Sequence, residues 1–491
     1  MFNVFWLEDF FNCCFSLIQE RNAMEQTKEN KMGVVPVNKL LITMSLPMMA
    51  SMLVQALYNV VDSIFVSRIN ENALTAVSLA FPIQTLMIAV AGGTCVGINA
   101  VLSKALGEKK QDTVNKTAGS GITLMAVSYV IFLLVGLFGT RGFYLSQTDD
   151  AQIIQYGYEY LSVICCFSFG IYTQFVFERL LQSTGKTLYI MFTQGTGAII
   201  NIILDPILIF GLLGAPQMGV RGAAVATVIG QIVAGIMAFC INRAKNDEVE
   251  LHLHTLRPDA AIVKQIYRVG VPSMVMQAIG SVMTYGMNRI LISFTPTATA
   301  VFGVYFKLQS FIFMPIFGMN NGLVPILAYN YGAGKRDRFI KALKCGIGYA
   351  FALMVIGLII FQTIPDRLLK LFDASEDMLQ IGVAALRTIS YSYLLAGFCI
   401  ICGTAFQALG RAGYSMIVSI ARQLVVLLPA AYLLSLSGNV NYVWWAFPIA
   451  ELMSLLMTII FMLHINKQVI QHIGEMDEVT HYAEPDNQAG A

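Results

Sequence analysis

The chain has 491 residues, of which 56% are apolar and only 12% are charged, and its formal net charge at pH 7 is +2. Soluble domains carry about a quarter of charged residues, so this composition excludes an ordinary water-soluble fold and predicts an integral membrane protein. The small net charge, spread over short loops rather than gathered in one stripe, argues against nucleic acid as a partner.

The start of the chain does not match a secretory signal peptide, because it is aromatic and carries Glu8 and Asp9 with no basic start. Met24 is therefore a candidate for the native start. Residues 1–37 are interpreted as an N-terminal extension in the cytoplasm, of which the part before Met24 is a candidate non-native segment.

Neither cysteine nor histidine residues predict a metal or a cofactor. The nine cysteines have no framework spacing, and Cys399 and Cys402 lie in an apolar run, so we interpret them as packing residues. The pair His252 and His254 is not followed by further His or Cys residues at ligand spacing. We expect no metal site and no bound cofactor.

Twelve apolar runs are long enough to cross about 30 Å of hydrocarbon as helices that rise 1.5 Å per residue. They are predicted at residues 40–66, 75–103, 117–138, 153–177, 187–211, 220–242, 262–294, 298–327, 341–364, 382–407, 414–437 and 443–466. Lys and Arg residues concentrate in the loops after every second span, so the positive-inside rule places both termini in the cytoplasm.

The two halves of the chain repeat each other at a constant offset. Pro47 maps to Pro272, and Gly107 maps to Gly332. An even number of spans per repeat predicts two six-helix lobes of the same orientation, related by a pseudo-twofold axis along the membrane normal. The predicted domains are an N-terminal lobe, a cytoplasmic linker, a C-terminal lobe and a cytoplasmic tail, at residues 38–242, 243–262, 263–466 and 467–491. A cleft between the lobes is the expected substrate path.

The repeat does not extend to the acidic residues within the spans. Asp62 maps to Met287, Glu178 to Gly403 and Asp205 to Ala430. Ionisable side chains within a membrane are costly and usually face a cavity or the bundle interior. Scaffold residues would be expected in both halves, so these acids indicate a function that is specific to the N-terminal lobe.

Polar side chains form one stripe on the first span and another on the fifth, at spacings that place them on a single helix face. The stripes are Gln55, Tyr58, Asn59 and Asp62, and Gln194, Asn201 and Asp205. Both spans run in the same direction and each Asp lies late in its span, so the two carboxylates are predicted to share one chamber. Pro206 removes a backbone donor beside Asp205 and loosens the helix there.

Two carboxylates that lie close together at low dielectric cannot both be ionised cheaply, so the pair could take up H⁺ or Na⁺. The seven residues of the two stripes are therefore candidates for cation coupling. The alternative is that each Asp only hydrogen-bonds a neighbour or caps a helix end.

Five other charged residues admit structural interpretations. Glu178 either pairs with Arg179 at the surface or faces the cleft, where it would attract a cationic substrate, and it is a candidate substrate-binding residue together with Asp205. Lys307 and Glu451 are expected to pair with each other. Arg289 and Arg422 are expected to snorkel to the interface.

These residues occur in recognisable motifs: Gln55-Ala-Leu-Tyr58-Asn59-Val-Val-Asp62, the Gly107-Glu-Lys-Lys loop, Arg179-Leu-Leu-Gln-Ser-Thr-Gly185 and Asn201-Ile-Ile-Leu-Asp205-Pro206. Together they resemble the multidrug and toxic compound extrusion (MATE) family, with the nearest similarity to its bacterial MepA-like members, over residues 38 to 466. In the DinF-like branch of that family, the motif acids of the first and fifth helices serve cation coupling; here they are Asp62 and Asp205.

The resemblance implies a V-shaped antiporter of twelve helices in a bacterial cytoplasmic (inner) membrane. It would export small organic cations in exchange for H⁺ or Na⁺, and we expect it to act as a monomer. Glu178 departs from the family pattern, because many relatives have Asn at this position.

Two other functions are considered. A lipid-linked saccharide flippase has a similar architecture but needs cationic cleft residues, for which Lys307, Arg289 and Arg422 are the candidates. A membrane-embedded enzyme would need a nucleophile with a base, or a ligand cluster, within the spans, and the Ser, His and Cys residues do not converge at motif spacing.

Overall fold

The computed structural model describes residues 29–251, 253–372 and 375–474, without the side chains of Asn59, Leu253 and His254. The predictions made for Met24, for the His252 and His254 pair and for most of the C-terminal tail lie outside these residues.

The described chain is built from twelve long helical units, numbered α1 to α12. Their bounds are Val37–Ser67 (α1), Glu71–Gly107 (α2), Gln111–Leu145 (α3), Ala151–Cys166 with Phe169–Ser183 (α4), Thr187–Phe210 (α5), Val220–Lys245 (α6), Ala260–Ile292 (α7), Pro296–Gly332 (α8), Arg336–Thr363 (α9), Glu376–Ser390 with Tyr393–Ala408 (α10), Ala412–Ser435 (α11) and Ala446–Gln468 (α12). Each of the twelve predicted spans falls on one of these units.

Within the described residues, nine of the units are single helices that are long and apolar enough to cross a membrane. Two more, α4 and α10, are pairs of helices bent by 43° and 48° at a short break. The remaining unit, α7, has 33 residues and is therefore long enough, but polar residues such as Gln277 and Thr284 interrupt its apolar sequence. The chain is a multi-pass, all-helical membrane protein, as predicted.

Side-chain caps begin several of the helices at one membrane face. The Asn70 Oδ1 accepts a hydrogen bond from the Ala73 backbone N–H at 2.7 Å at the start of α2, and the Asp150 carboxylate accepts from the N–H groups of Gln152 and Ile153 in α4. Such caps satisfy backbone donors that have no partner within the helix.

The helices form two lobes that contact each other through the reciprocal pairs α1 with α8 and α2 with α7. The start of α1 packs in the core of the C-terminal lobe, where Leu40 and Met44 join Leu323 and Leu327. Ile266 at the start of α7 packs in the core of the N-terminal lobe. Each lobe is therefore completed by the first turns of a helix that belongs to the other lobe in sequence.

Glycines allow the two lobes to approach closely, and they follow the pseudo-twofold axis. A Cβ on Gly107 would lie 2.1 Å from the Tyr329 carbonyl oxygen, and a Cβ on Gly332 would lie 2.1 Å from the Lys104 carbonyl oxygen. Because the repeat also maps Lys104 to Tyr329, each contact is the symmetry mate of the other. The repeat that was read from the sequence is thus a structural symmetry, and the prediction of two pseudo-twofold-related lobes is confirmed.

These contacts lie on one side of the molecule, which we call the terminal face: the start of α1, the ends of α2, α4, α6 and α8, and the loops beside them. Farther from this face, Gly280 of α7 and Gly303 of α8 have no atom of the other lobe within 4 Å. The lobes are therefore closed at the terminal face. The sequence predicts that this face is cytoplasmic.

The predicted pairing of Lys307 with Glu451 is wrong. Instead, the Arg422 Nη1 donates to the Glu451 Oε2 at 3.0 Å, and the Lys307 ammonium lies 5.9 Å from the centre of the Phe372 ring. Arg422 therefore does not snorkel as predicted, because it lies in a π-helical segment of α11, Ala421–Leu427, that packs against α12. Which charges meet depends on how the helices pack, and sequence depth alone does not determine that.

Removal of one partner of this ion pair is expected to destabilise the C-terminal lobe. Glu451→Ala leaves the Arg422 guanidinium, 35% exposed, without its carboxylate, and we expect a loss of about 1–3 kcal/mol, less than for a fully enclosed pair. The double variant Arg422→Met with Glu451→Leu should recover most of this loss. Thermal unfolding in detergent measures both variants, and equal melting temperatures for the single and double variants would contradict the expectation.

Candidate functional site

A polar cavity lies inside the N-terminal lobe, between α1, α4, α5 and α6. Its volume of about 110 Å³ is room for several water molecules. The polar side chains that line it are Gln55, Tyr58, Gln174, Glu178, Arg179, Gln182, Gln194, Asn201, Thr227, Gln231 and Asn321. Asn321 belongs to α8, so the C-terminal lobe contributes one part of the wall.

Asp62 of α1 and Asp205 of α5 meet at one end of this polar region. Their carboxyl groups lie within hydrogen-bonding range of each other. Asp205 is 0% exposed, and Asp62 is partly buried. The packing of α1 against α5 brings the two stripes together, and the two acids therefore meet beside the cavity residues Tyr58 and Asn201.

An amide and a hydroxyl position the Asp205 carboxylate. The Asn201 Nδ2 lies 3.3 Å from the Asp205 Oδ1, one helical turn further along α5, and 3.2 Å from the Thr227 Oγ1 of α6. Tyr58 lies one turn before Asp62 on α1, and its hydroxyl is a hydrogen-bonding partner of Gln55. These contacts tie three helices of the lobe to the acidic pair.

Several buried oxygens of the site have no N–H or O–H donor among the described residues. They are the Asp62 Oδ1, the Asp205 Oδ2, the Asn201 Oδ1 and, farther along α5, the Gln194 Oε1. Buried acceptors are usually satisfied, so oxygens left without donors are suited to a proton, a cation or water.

Glu178 faces the cavity, and the surface pairing with Arg179 that the sequence left open does not occur. The Glu178 side chain is only 6% exposed. Its Oε1 accepts from the Gln174 Nε2 at 2.9 Å and the Thr193 hydroxyl at 2.7 Å, and its Oε2 accepts from the Gln194 Nε2 at 2.9 Å. Arg179 instead donates to the Gln182 Oε1 at 2.6 Å.

The predicted residues therefore form two groups. Tyr58, Asp62, Asn201 and Asp205 lie together, with Gln55 beside Tyr58, whereas Gln194 lies with Glu178. Eleven residues separate Gln194 from Asp205 on α5, which corresponds to about 16 Å along the helix. Asn59 belongs to the predicted stripe, but its side chain lies outside the described residues. In the described part of the chain, no group of three or more His, Cys, Asp or Glu side chains could hold a metal ion.

Other polar side chains of the cavity were not predicted as site residues from the sequence. Gln174, Glu178 and Gln182 recur at intervals of four on α4, and Thr227 and Gln231 are separated by four on α6, so each set lies on one helix face. The same periodicity that identified the stripes on the first and fifth spans would have found both sets.

The comparisons with known proteins agree with this architecture. The family described as MatE matches residues 47–207 and again residues 272–433, so the second match begins at Pro272, the repeat equivalent of Pro47. "Multidrug export protein MepA" of Staphylococcus aureus (strain MSSA476) is 26% identical over 428 residues, which cover 85% of this chain and 91% of that protein. The protein of the same name from Staphylococcus haemolyticus (strain JCSC1435) is 26% identical over 414 residues, which cover 84% of this chain and 90% of that protein.

Solved structures show the same fold. One is described as "Outward-facing conformation of a multidrug resistance MATE family transporter of the MOP superfamily". Its TM-score is 0.84 and its identity is 25%, and the match covers 92% of this chain and 100% of that chain. A MOP superfamily transporter from Pyrococcus furiosus has a TM-score of 0.82 and 25% identity, with 91% and 99% coverage. The two family matches, on the two halves that the glycine contacts relate by symmetry, show that this chain belongs to the MatE family.

Proposed function

We propose that this chain is a multidrug efflux carrier that exports small organic cations in exchange for protons. The observation that carries the proposal is the contact between the Asp62 and Asp205 carboxyl groups in the N-terminal lobe, next to a cavity that also holds Glu178. The MepA proteins named above are described as multidrug export proteins, and this supports the export direction and the variety of substrates.

The acidic pair suits a proton as the coupling ion. Two unit charges about 4 Å apart repel each other by about 4 kcal/mol at an effective dielectric constant near 20. One proton shared between Asp62 and Asp205 removes this repulsion and supplies the donor that their oxygens otherwise lack. The loss of that proton in one state of the carrier, and its return in the other, would couple proton entry to substrate exit.

Glu178 is the proposed contact for the positive charge of the substrate. Three donors hold its carboxylate in place, so no reorganisation is needed when a cation approaches. Met48, Met52 and Phe175 also line the cavity, and thioether and aromatic groups adapt to varied organic cations.

The flippase alternative loses support from the placement of the cationic side chains. It needs free positive charges to bind a pyrophosphate. Of the three candidates, Arg422 is paired with Glu451 and Lys307 lies over Phe372, which leaves only the exposed Arg289 near the end of α7. The cavity walls carry Glu178 beside Arg179, which suits a cation better than a pyrophosphate.

Transport by vesicles with imposed ion gradients tests the proposal. Vesicles that contain the purified chain and a cationic dye should lose the dye several-fold faster when the outside is made acidic, and nigericin, which collapses the pH gradient, should abolish the effect. Empty vesicles provide the background rate. Loss that follows a Na⁺ gradient instead would overturn the proton assignment, and no loss above background under either gradient would overturn the carrier proposal.

A further inference from the structure

The segment before α1 bridges the two lobes at the terminal face. Residues 29–35, which we call the latch, contain one helical turn, Lys31–Val34, that lies between the ends of α4 and α8. The latch is not part of the cavity or of the acidic pair, and the proposed transport mechanism does not use it.

The latch is attached firmly to the C-terminal lobe. Met32 is 0% exposed and packs with Leu327 and Phe339 in the core of that lobe. Its carbonyl oxygen accepts from the Asn330 Nδ2 at 3.2 Å and the Arg338 Nη2 at 3.1 Å, and the carbonyl oxygen of Val35 accepts from the same guanidinium at 2.7 Å.

An ion pair adds to this attachment. The Lys335 ammonium contacts the Glu29 carboxylate and donates to the Gly33 carbonyl oxygen at 3.1 Å. Hydrogen bonding to Lys335 holds the pKa of Glu29 below its usual value. The ion pair is therefore intact at neutral pH, and it would weaken only as the pH falls through that lowered pKa.

Asn30 connects the latch to the N-terminal lobe. The Asn30 Nδ2 donates to the Thr184 carbonyl oxygen at 3.2 Å, in the loop between α4 and α5, and to the Glu248 Oε1 at 2.5 Å, in the segment after α6. The Asn30 Oδ1 also accepts from the Met32 N–H at 2.8 Å and so caps the latch helix. Lys31 and Met32 also lie beside Gly185 of this lobe, whereas the C-terminal lobe encloses the Met32 side chain in its core.

We propose that the latch is a conformational lock that travels with the C-terminal lobe, and that Asn30 must release Thr184 and Glu248 before the carrier can open at the terminal face. This inference rests on the proposed carrier function, since only a carrier that alternates between two faces needs such a release. Opening must also separate Gly107 from Tyr329, so the latch contacts and the glycine contact break together.

Reversible cross-links that join the latch to one lobe or to the other test which lobe the latch must leave. A dithiol-reactive methanethiosulfonate cross-linker would join the cysteines of the double variant Asn30→Cys with Glu248→Cys, and this should reduce dye transport to background until dithiothreitol is added. The matched control, Glu29→Cys with Lys335→Cys, joins the latch to the C-terminal lobe and should transport at the untreated rate. The unsubstituted chain, treated in the same way, shows whether reaction of the native cysteines alone changes transport.

A second measurement does not depend on any substrate. Asn321 lines the cavity behind the closed face, so the labelling rate of Asn321→Cys by a membrane-impermeant maleimide added at the terminal face reports opening. Adding Asn30→Ala should raise this rate about tenfold, as expected for the loss of its two hydrogen bonds to the N-terminal lobe. Asn72→Ala, which removes a bond to Gln152 within the N-terminal lobe, should not change it.

The outcomes separate the latch from the proposed function. If neither cross-link stops transport, or both do, the latch proposal is overturned while the carrier proposal stands. If the unmodified chain moves no dye, the carrier proposal fails. The labelling rates then decide whether Asn30 holds the terminal face closed, and equal rates with and without Asn30→Ala would overturn the latch.

Discussion

Asp205→Asn is expected to slow proton-driven efflux of a cationic dye at least fivefold. The substitution keeps the size of the side chain and its contact with Asn201, but it removes a group that can exchange a proton with Asp62. Coupling free energies of about 1–3 kcal/mol correspond to about 5- to 150-fold, so the rate under a pH gradient should fall at least fivefold. Efflux is measured in the vesicle assay, with membrane abundance quantified in parallel.

Two variants make this test specific. Asp62→Asn should show the same loss, because it removes the other half of the pair, whereas Asp149→Asn, an exposed acid before α4, should transport like the unmodified chain. The melting temperature of Asp205→Asn should stay level or rise, since a buried carboxylate whose Oδ2 lacks a donor is replaced by an uncharged amide. Unchanged dye efflux in Asp205→Asn would exclude the coupling role.

Glu178→Gln is expected to weaken transport of cations selectively. The amide can keep contacts with Gln174, Thr193 and Gln194 after their hydroxyl and amide groups reorient, so the cavity should retain its shape. The buried negative charge is lost, and a charge-assisted contact worth about 1.5–3 kcal/mol corresponds to about 10- to 150-fold in affinity. The Michaelis constant for a monovalent cationic dye should rise accordingly.

An uncharged dye of similar shape distinguishes a charge effect from a packing effect. Its transport should change less than twofold in Glu178→Gln. Glu159→Gln is the matched control, because Glu159 also accepts from a glutamine four residues away on α4, at 2.6 Å from the Gln155 Nε2, but this hydrogen bond is exposed and Glu159 is only half-buried. An equal loss of transport for the charged and the uncharged dye would show that Glu178 shapes the cavity and does not recognise charge.

Prediction from sequence was strongest where the signal is local. Helical periodicity placed Asp62 and Asp205 on the faces that the structure brings together, because side chains three, four and seven residues apart share one side of a helix whatever it packs against. Periodicity also grouped Gln194 with Asp205, and the structure places Gln194 on the same face but about 16 Å farther along the axis, where it hydrogen-bonds Glu178.

Pairings between helices were not predictable in the same way. Lys307 and Glu451 lie at similar predicted depths, yet Glu451 meets Arg422, because α12 packs against the π-helical segment of α11. A rotation of one helix by a single residue turns a side chain by about 100°, and depth in the membrane contains no information about this rotation.

The sequence by itself determined that this chain is a twelve-helix membrane protein made of two similar halves, and that Asp62, Glu178 and Asp205 have no acidic equivalents in the second half. Length, hydropathy and the constant offset between the halves suffice for this. A span is recognised from a short stretch of sequence, and a repeat is recognised by comparing the chain with itself. Only the tertiary structure decided that Glu178 faces a cavity, that Arg422 pairs with Glu451 and that Asn30 links the two lobes. Each of these depends on contacts between residues distant in sequence, whose geometry is set by helix packing.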